Sequence, residues 1–127
     1  MTERLRIRGG PRAAGEARAG CAAALGERAG MDALRDLQLL VSEVVNNSVV
    51  HGGVGDDGWI ELSIAVDGGL VRVEVRDDGR QGEPVARSPD FDNGGGFGLF
   101  LVEAMASSWG SARDPDLTVW FEMNLAE

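Results

Sequence analysis

Glu43 and Asn47 stand four residues apart within the run 36–53, DLQLLVSEVVNNSVVHGG. At about 100° per residue, that spacing stacks a carboxylate and a carboxamide on one face of a helix. Leu37, Leu40, Val41, Val44, Val45 and Ser48 recur at helical intervals in the same run. They form an apolar stripe roughly a quarter-turn from the polar pair. Asn46 and His51 flank the pair, and the glycines at 52 and 53 end the helix. A carboxylate here could take a proton from a nucleophile, while the neutral amide oxygen one turn away could ligate a hard cation. A plain solvated face is the other reading, and His51 at the helix end suits a cap as well as a catalyst.

Two further groups could take part in chemistry. In the run 70–77 (LVRVEVRD), Val71, Val73 and Val75 point one way and Arg72, Glu74 and Arg76 the other, so the period of two carries Asp77 onto the valine side. A carboxylate at the end of an apolar row is costly unless donors reach it, which makes Asp77 either a capped strand end or a ligand contact. Downstream, 94–102 (GGGFGLFLV) passes from glycines into an apolar helix that continues through Ala106. Amides freed of side chains at a helix start suit a phosphate, and a flexible turn is the alternative.

These groups need elements to hold them. The segment 4–8 (RLRIR) alternates Leu5 and Ile7 with arginines, as an edge strand does, and Gly9, Gly10 and Pro11 break it. A second, weaker helix is expected over 13–29, where Gly15, Gly20 and Gly26 interrupt alanines. Asp32 is placed as the N-cap of the central helix. After the loop GGVGDDG, the strand 59–66 points Ile60, Leu62, Ile64 and Val66 inward, and Asp67, Gly68 and Gly69 turn tightly into 70–77. The polar stretch 79–93, with Pro84 and Pro89, shows no periodicity and reads as a mobile segment. Residues 107–113 give no clear signal, and 117–125 closes as a strand with Val119, Phe121, Met123 and Leu125 inward. One domain over 1–127 is expected, since there is no repeat, linker or composition shift.

Composition narrows the chemistry. With 21 acidic against 12 basic residues the net charge is −9, which disfavours nucleic acid or an anionic membrane as the main partner. All the basic residues are arginine, so a P-loop lysine, a Schiff base and a lysine general base are excluded. A single cysteine, Cys21, leaves no intrachain disulfide and no cysteine metal cluster. Without a membrane-length apolar run or a signal-peptide core, a cytoplasmic setting is expected.

Taken in order, SEVVNNSVVHGG, VRDDGRQG and GGGFGL resemble the three boxes of the GHKL ATPase superfamily, and within it the short bacterial anti-sigma-factor serine kinases. The resemblance runs from about Leu5 to Leu125. It implies a Bergerat-type ATP-binding fold: an α/β two-layer sandwich with a mixed, mainly antiparallel sheet and helices on one face. It also implies ATP and Mg²⁺ as cofactors. Carried over residue by residue, Glu43 becomes the general base, Asn47 the magnesium ligand and Asp77 the acceptor for the adenine amino group. Gly79 leaves room for the base, and Gly94, Gly96 and Gly98 face the phosphates with Phe97 and Leu99 in the same box. Thr118 falls where the family often has a threonine near the adenine. The second box is spaced differently here, Gly82 following Gly79 by three. The implied activity is phosphorylation of a serine on an antagonist protein by a chain that also holds a sigma factor, with homodimers common among relatives. A non-catalytic nucleotide-gated binding module and a simple ATPase are the alternatives.

Overall fold

The structure is a computed structural model that describes residues 1–50, 58–77, 99–113 and 116–125. Strand β1 (Thr2–Arg8) leads into helix α1 (Ala13–Leu25), a single 3₁₀ turn (Gly26–Arg28) and helix α2 (Met31–Val50). There follow β2 (Trp59–Asp67), β3 (Leu70–Asp77), α3 (Leu99–Met105), β4 (Ser108–Arg113) and β5 (Leu117–Asn124).

The strands make one five-stranded sheet in the order β1-β2-β3-β5-β4. All four pairings are antiparallel, which agrees with the mainly antiparallel sheet expected, and no parallel pair occurs among the described strands. Strands β3 and β4 flank β5 and run parallel to each other, so the connection through α3 crosses over one strand and β5 then fills the gap antiparallel to both. The β2–β3 hairpin closes on Gly68 and Gly69, and Gly68 takes a φ of 64°, open to a residue without Cβ. A positive φ at the first loop position is the type II′ pattern, whose twist matches that of the strands.

Alternation sets the layers. Ile60, Leu62 and Ile64 of β2, Val71, Val73 and Val75 of β3, and Val119, Phe121 and Met123 of β5 are buried on one face. The intervening residues form an open face that no described helix covers. Against the buried face, α1 packs along α2 and onto β1 and β2, α2 reaches β3 and β5, and α3 lies against α2 and β4. The expected stripe of α2 is buried in full, from Leu37 through Ser48. Each fully buried leucine, isoleucine or valine contributes about 1.5–3 kcal/mol relative to exposure.

Boundaries differ from expectation in four places. The central helix begins at Met31, so Asp32 is not its N-cap but lies in the first turn, where its charge favours the helix dipole and it pairs with Arg35 at 3.8 Å. The alanine-rich helix ends at Leu25, where Gly26 adopts a φ of 53°. The last helix, described from Leu99, ends at Met105, one residue short of Ala106. Residues 108–113, which carried no signal, form the edge strand β4 because β5 offers them a complete ladder of partners.

Candidate functional site

Helix α2 supplies the first part of the site. Leu40, Val41, Val44 and Val45 are fully buried, which fixes the rotation of the helix and leaves Glu43 and Asn47 half-buried, one turn apart, at the margin of the seam. Asn46 is exposed. A bond network missed by sequence reasoning ties the same stretch to α1. Arg18 Nη1 donates to Ser42 Oγ at 3.0 Å, Ser42 Oγ donates to the Gln38 carbonyl at 2.7 Å, and Gln38 Nε2 donates to the Arg18 carbonyl at 3.1 Å. Ser42 immediately precedes Glu43, so the clamp holds the backbone from which the carboxylate projects. Nothing in the local pattern signals it, because its three members come from two helices.

Strand β3 supplies the second part. Asp77 is 4% exposed and is the sole charged side chain buried among the described residues. Its position follows the valine row, as the period of two requires. No buried side-chain nitrogen or oxygen among the described residues lacks a hydrogen-bond partner, so the carboxylate is accommodated there.

Strand β2 joins the two parts in the chain. The chain leaving α2 enters β2 at Trp59, and β2 pairs with β3 so that Glu61 lies opposite Arg76, next to Asp77. Gly79, Gly94, Gly96, Phe97, Gly98 and the polar stretch 79–93 lie outside the described residues, as does His51. Leu99 opens α3, whose Val102 is fully buried.

Thr118 is not brought together with Asp77. In the β3–β5 register Asp77 is paired with Leu117, which is buried on the same face, while Thr118 is paired with Arg76 and is turned to the open face. The signal was present in the sequence: with Val119 and Phe121 inward, alternation sends Thr118 outward and Leu117 inward.

Comparison with known proteins bears on what such an arrangement is. The histidine kinase-like ATPase domain matches this sequence over residues 7–122. The chain belongs to that family. It is similar to the anti-sigma F factor of Geobacillus kaustophilus, 38% identical over 50 residues that make up 39% of this chain and 34% of the relative. The anti-sigma F factor of a Clostridium botulinum strain is 29% identical over 82 residues, 58% of this chain and 57% of that one. The matched stretches thus span from a third to somewhat over half of these relatives. A crystal structure of the RsbU and RsbW domains of a Mycobacterium tuberculosis protein superposes with a TM-score of 0.72 at 25% identity, covering 100% of this chain and 33% of that one. No helix among the described residues is long and apolar enough to cross a membrane.

Proposed function

We propose that the chain is an ATP-binding protein serine kinase of the anti-sigma regulatory type, working in the cytoplasm. The reading is supported most by one observation: half-buried Glu43 and Asn47 share an α2 face and β3 ends in a buried Asp77, in a chain of the histidine kinase-like ATPase family.

The roles follow from the chemistry of each group. Asp77 would accept from the adenine amino group, with Gly79 beside it. Gly94, Gly96, Phe97, Gly98 and Leu99 would line the phosphates. Asn47 carries a neutral oxygen on a half-buried side chain, a donor that suits Mg²⁺, which takes one or two protein ligands beside phosphate and water. When bound, the ion would neutralise charge on the transferring phosphoryl group. Glu43, a turn before Asn47, would take the proton from an attacking serine hydroxyl. Its partly buried position limits competition from water.

The partners follow from the relatives: a sigma factor held by the ATP-loaded chain, and an antagonist protein whose serine receives the phosphate. Homodimerisation belongs to the same reading. Incubation with γ-labelled ATP, magnesium and the candidate antagonist tests it. Label on an antagonist serine, lost in Glu43→Ala while ATP affinity is kept, is the expected result. Label released only as inorganic phosphate would favour the simple ATPase, and ATP binding with no transfer would favour the nucleotide-gated module.

A further inference from the structure

The open face of the sheet carries a row of positive charge that the ATP site does not use. Arg4, Arg6 and Arg8 project from β1 at alternate positions and are exposed. Their repeat is about 6.6–6.8 Å, the rise of two residues in a strand. Carboxylates lie close by, yet none pairs with the row. Glu61 stands directly opposite Arg6 in the β1–β2 register and bonds instead to Arg76 on its other side. Glu74 and Glu122 are both taken by Arg72. Among the described residues, Arg4, Arg6 and Arg8 make no ion pair.

The row is nonetheless organised. Trp59 is 43% exposed, and the guanidinium groups of Arg6 and Arg8 lie 5.1 and 5.2 Å from its ring centroid. Guanidinium groups over an indole face are held in place without being neutralised. Beside them a depression of about 580 Å³ opens between Arg4, Arg6, Ser63, Arg76 and Thr118, with the ion-paired Glu61 and Glu74 also on its wall. Strand β1 is also the outermost strand, so its second backbone edge is unpaired among the described residues.

Arginines on an edge strand ordinarily discourage strand pairing. That role needs neither an exposed tryptophan under the guanidiniums nor carboxylates diverted away from them. We infer that β1 and the adjoining open face form a docking surface for an extended acidic segment of a partner protein. The segment adds to the β1 edge and sets alternate carboxylates against Arg4, Arg6 and Arg8. An extended chain has the same two-residue repeat as the row, and strand addition satisfies the free backbone edge while side chains supply selectivity. Charge selects the occupant. The chain carries a net −9, so an acidic partner is repelled from most of its surface and steered to this row. A second copy brings another −9, and nucleic acid brings a phosphate backbone against the same unfavourable field. The surface lies on the opposite side of the sheet from Glu43, Asn47 and Asp77, and the inference does not depend on the kinase reading.

Fluorescence anisotropy on the full chain tests it, with a labelled extended peptide alternating glutamate and threonine and a matched glutamine peptide. The glutamate peptide should bind at least about tenfold more tightly than the glutamine one, weaken as salt is raised, and quench or shift Trp59 emission. Arg4→Gln/Arg6→Gln/Arg8→Gln should remove that preference while ATP binding and thermal melting stay unchanged. Equal binding of the two peptides, an assay that needs no variant, overturns the inference. So does a preference that survives in the arginine variant. Arginine-dependent binding of duplex DNA in place of the peptide, or an arginine-dependent dimer in sedimentation without peptide binding, would assign the face to those occupants and equally refute the acidic segment.

Discussion

At the scale of single residues, Glu43 and Asn47 share a helix face but should fail differently. Glu43→Ala or Glu43→Gln is expected to keep Mg-ATP affinity and to lower phosphoryl transfer by about 10²-fold or more, read by calorimetry and single-turnover labelling. Asn47→Ala should weaken both, because it removes a ligand. Asp77→Asn retains the volume of a buried side chain and so should leave melting nearly unchanged, while turning an N–H toward the adenine amine. ATP affinity should fall by about 10-fold or more, the scale of a lost charged hydrogen bond. Cys21 gives a pH prediction. Its burial in α1 pushes the thiol up from 9.0 to about 12, because the thiolate loses its hydration there. The folded state therefore keeps a proton that the unfolded state loses, and stability falls as pH rises from about 9 toward 12. Denaturation of Cys21→Ala across this range should show a shallower alkaline decline than wild type.

At the scale of elements, the glycines of α1 separate helix propensity from packing. A Cβ at Gly15 would meet only Arg18 Nη2 at 3.5 Å, an ordinary contact, whereas one at Gly20 would come within 2.3 Å of Leu5 Cδ1 on β1. Gly15→Ala should raise stability by about 0.5–1 kcal/mol. Gly20→Ala should fall short of that gain by about 1 kcal/mol or more, since Leu5 must leave its place against the helix. Chemical denaturation of the pair measures the difference. The β5 strand offers a second contrast. Thr118 faces away from Asp77, so Thr118→Val should leave ATP affinity within a few-fold of wild type. Substitution of Leu117, buried opposite Asp77, should disturb it. The same geometry explains the quiet behaviour of β4 in the sequence. Gly110 lies under the Trp120 ring, 2.9 Å from where its Cβ would be, so that strand is specified by its neighbour rather than by its own residues.

At the scale of the whole molecule, the sheet divides two tasks between its faces. The helices, with Glu43 and Asn47, and the buried Asp77 occupy the covered side, while ion pairs and the arginine row occupy the other. Mg-ATP should raise the melting temperature by mass action, about 2.7 kcal/mol at a hundredfold excess over Kd. That shift should fall to about half or less in Asp77→Asn and persist when the β1 arginines are replaced. Much of this was legible from the chain alone. Period two identified the buried rows of β2, β3 and β5 and carried Asp77 inward, and period 3.6 identified the α2 stripe and the Glu43–Asn47 face. These are consequences of backbone geometry, which repeats regardless of context. The same alternation turns Thr118 to the open face. Tertiary structure alone decided the strand order, the β4 edge, the Arg18–Ser42–Gln38 clamp, and the diversion of Glu61 to Arg76 that leaves Arg6 unpaired. Each depends on which residues from distant parts of the chain become neighbours, and long-range pairing is fixed by how the layers close over a shared core, a choice that no local window of sequence contains.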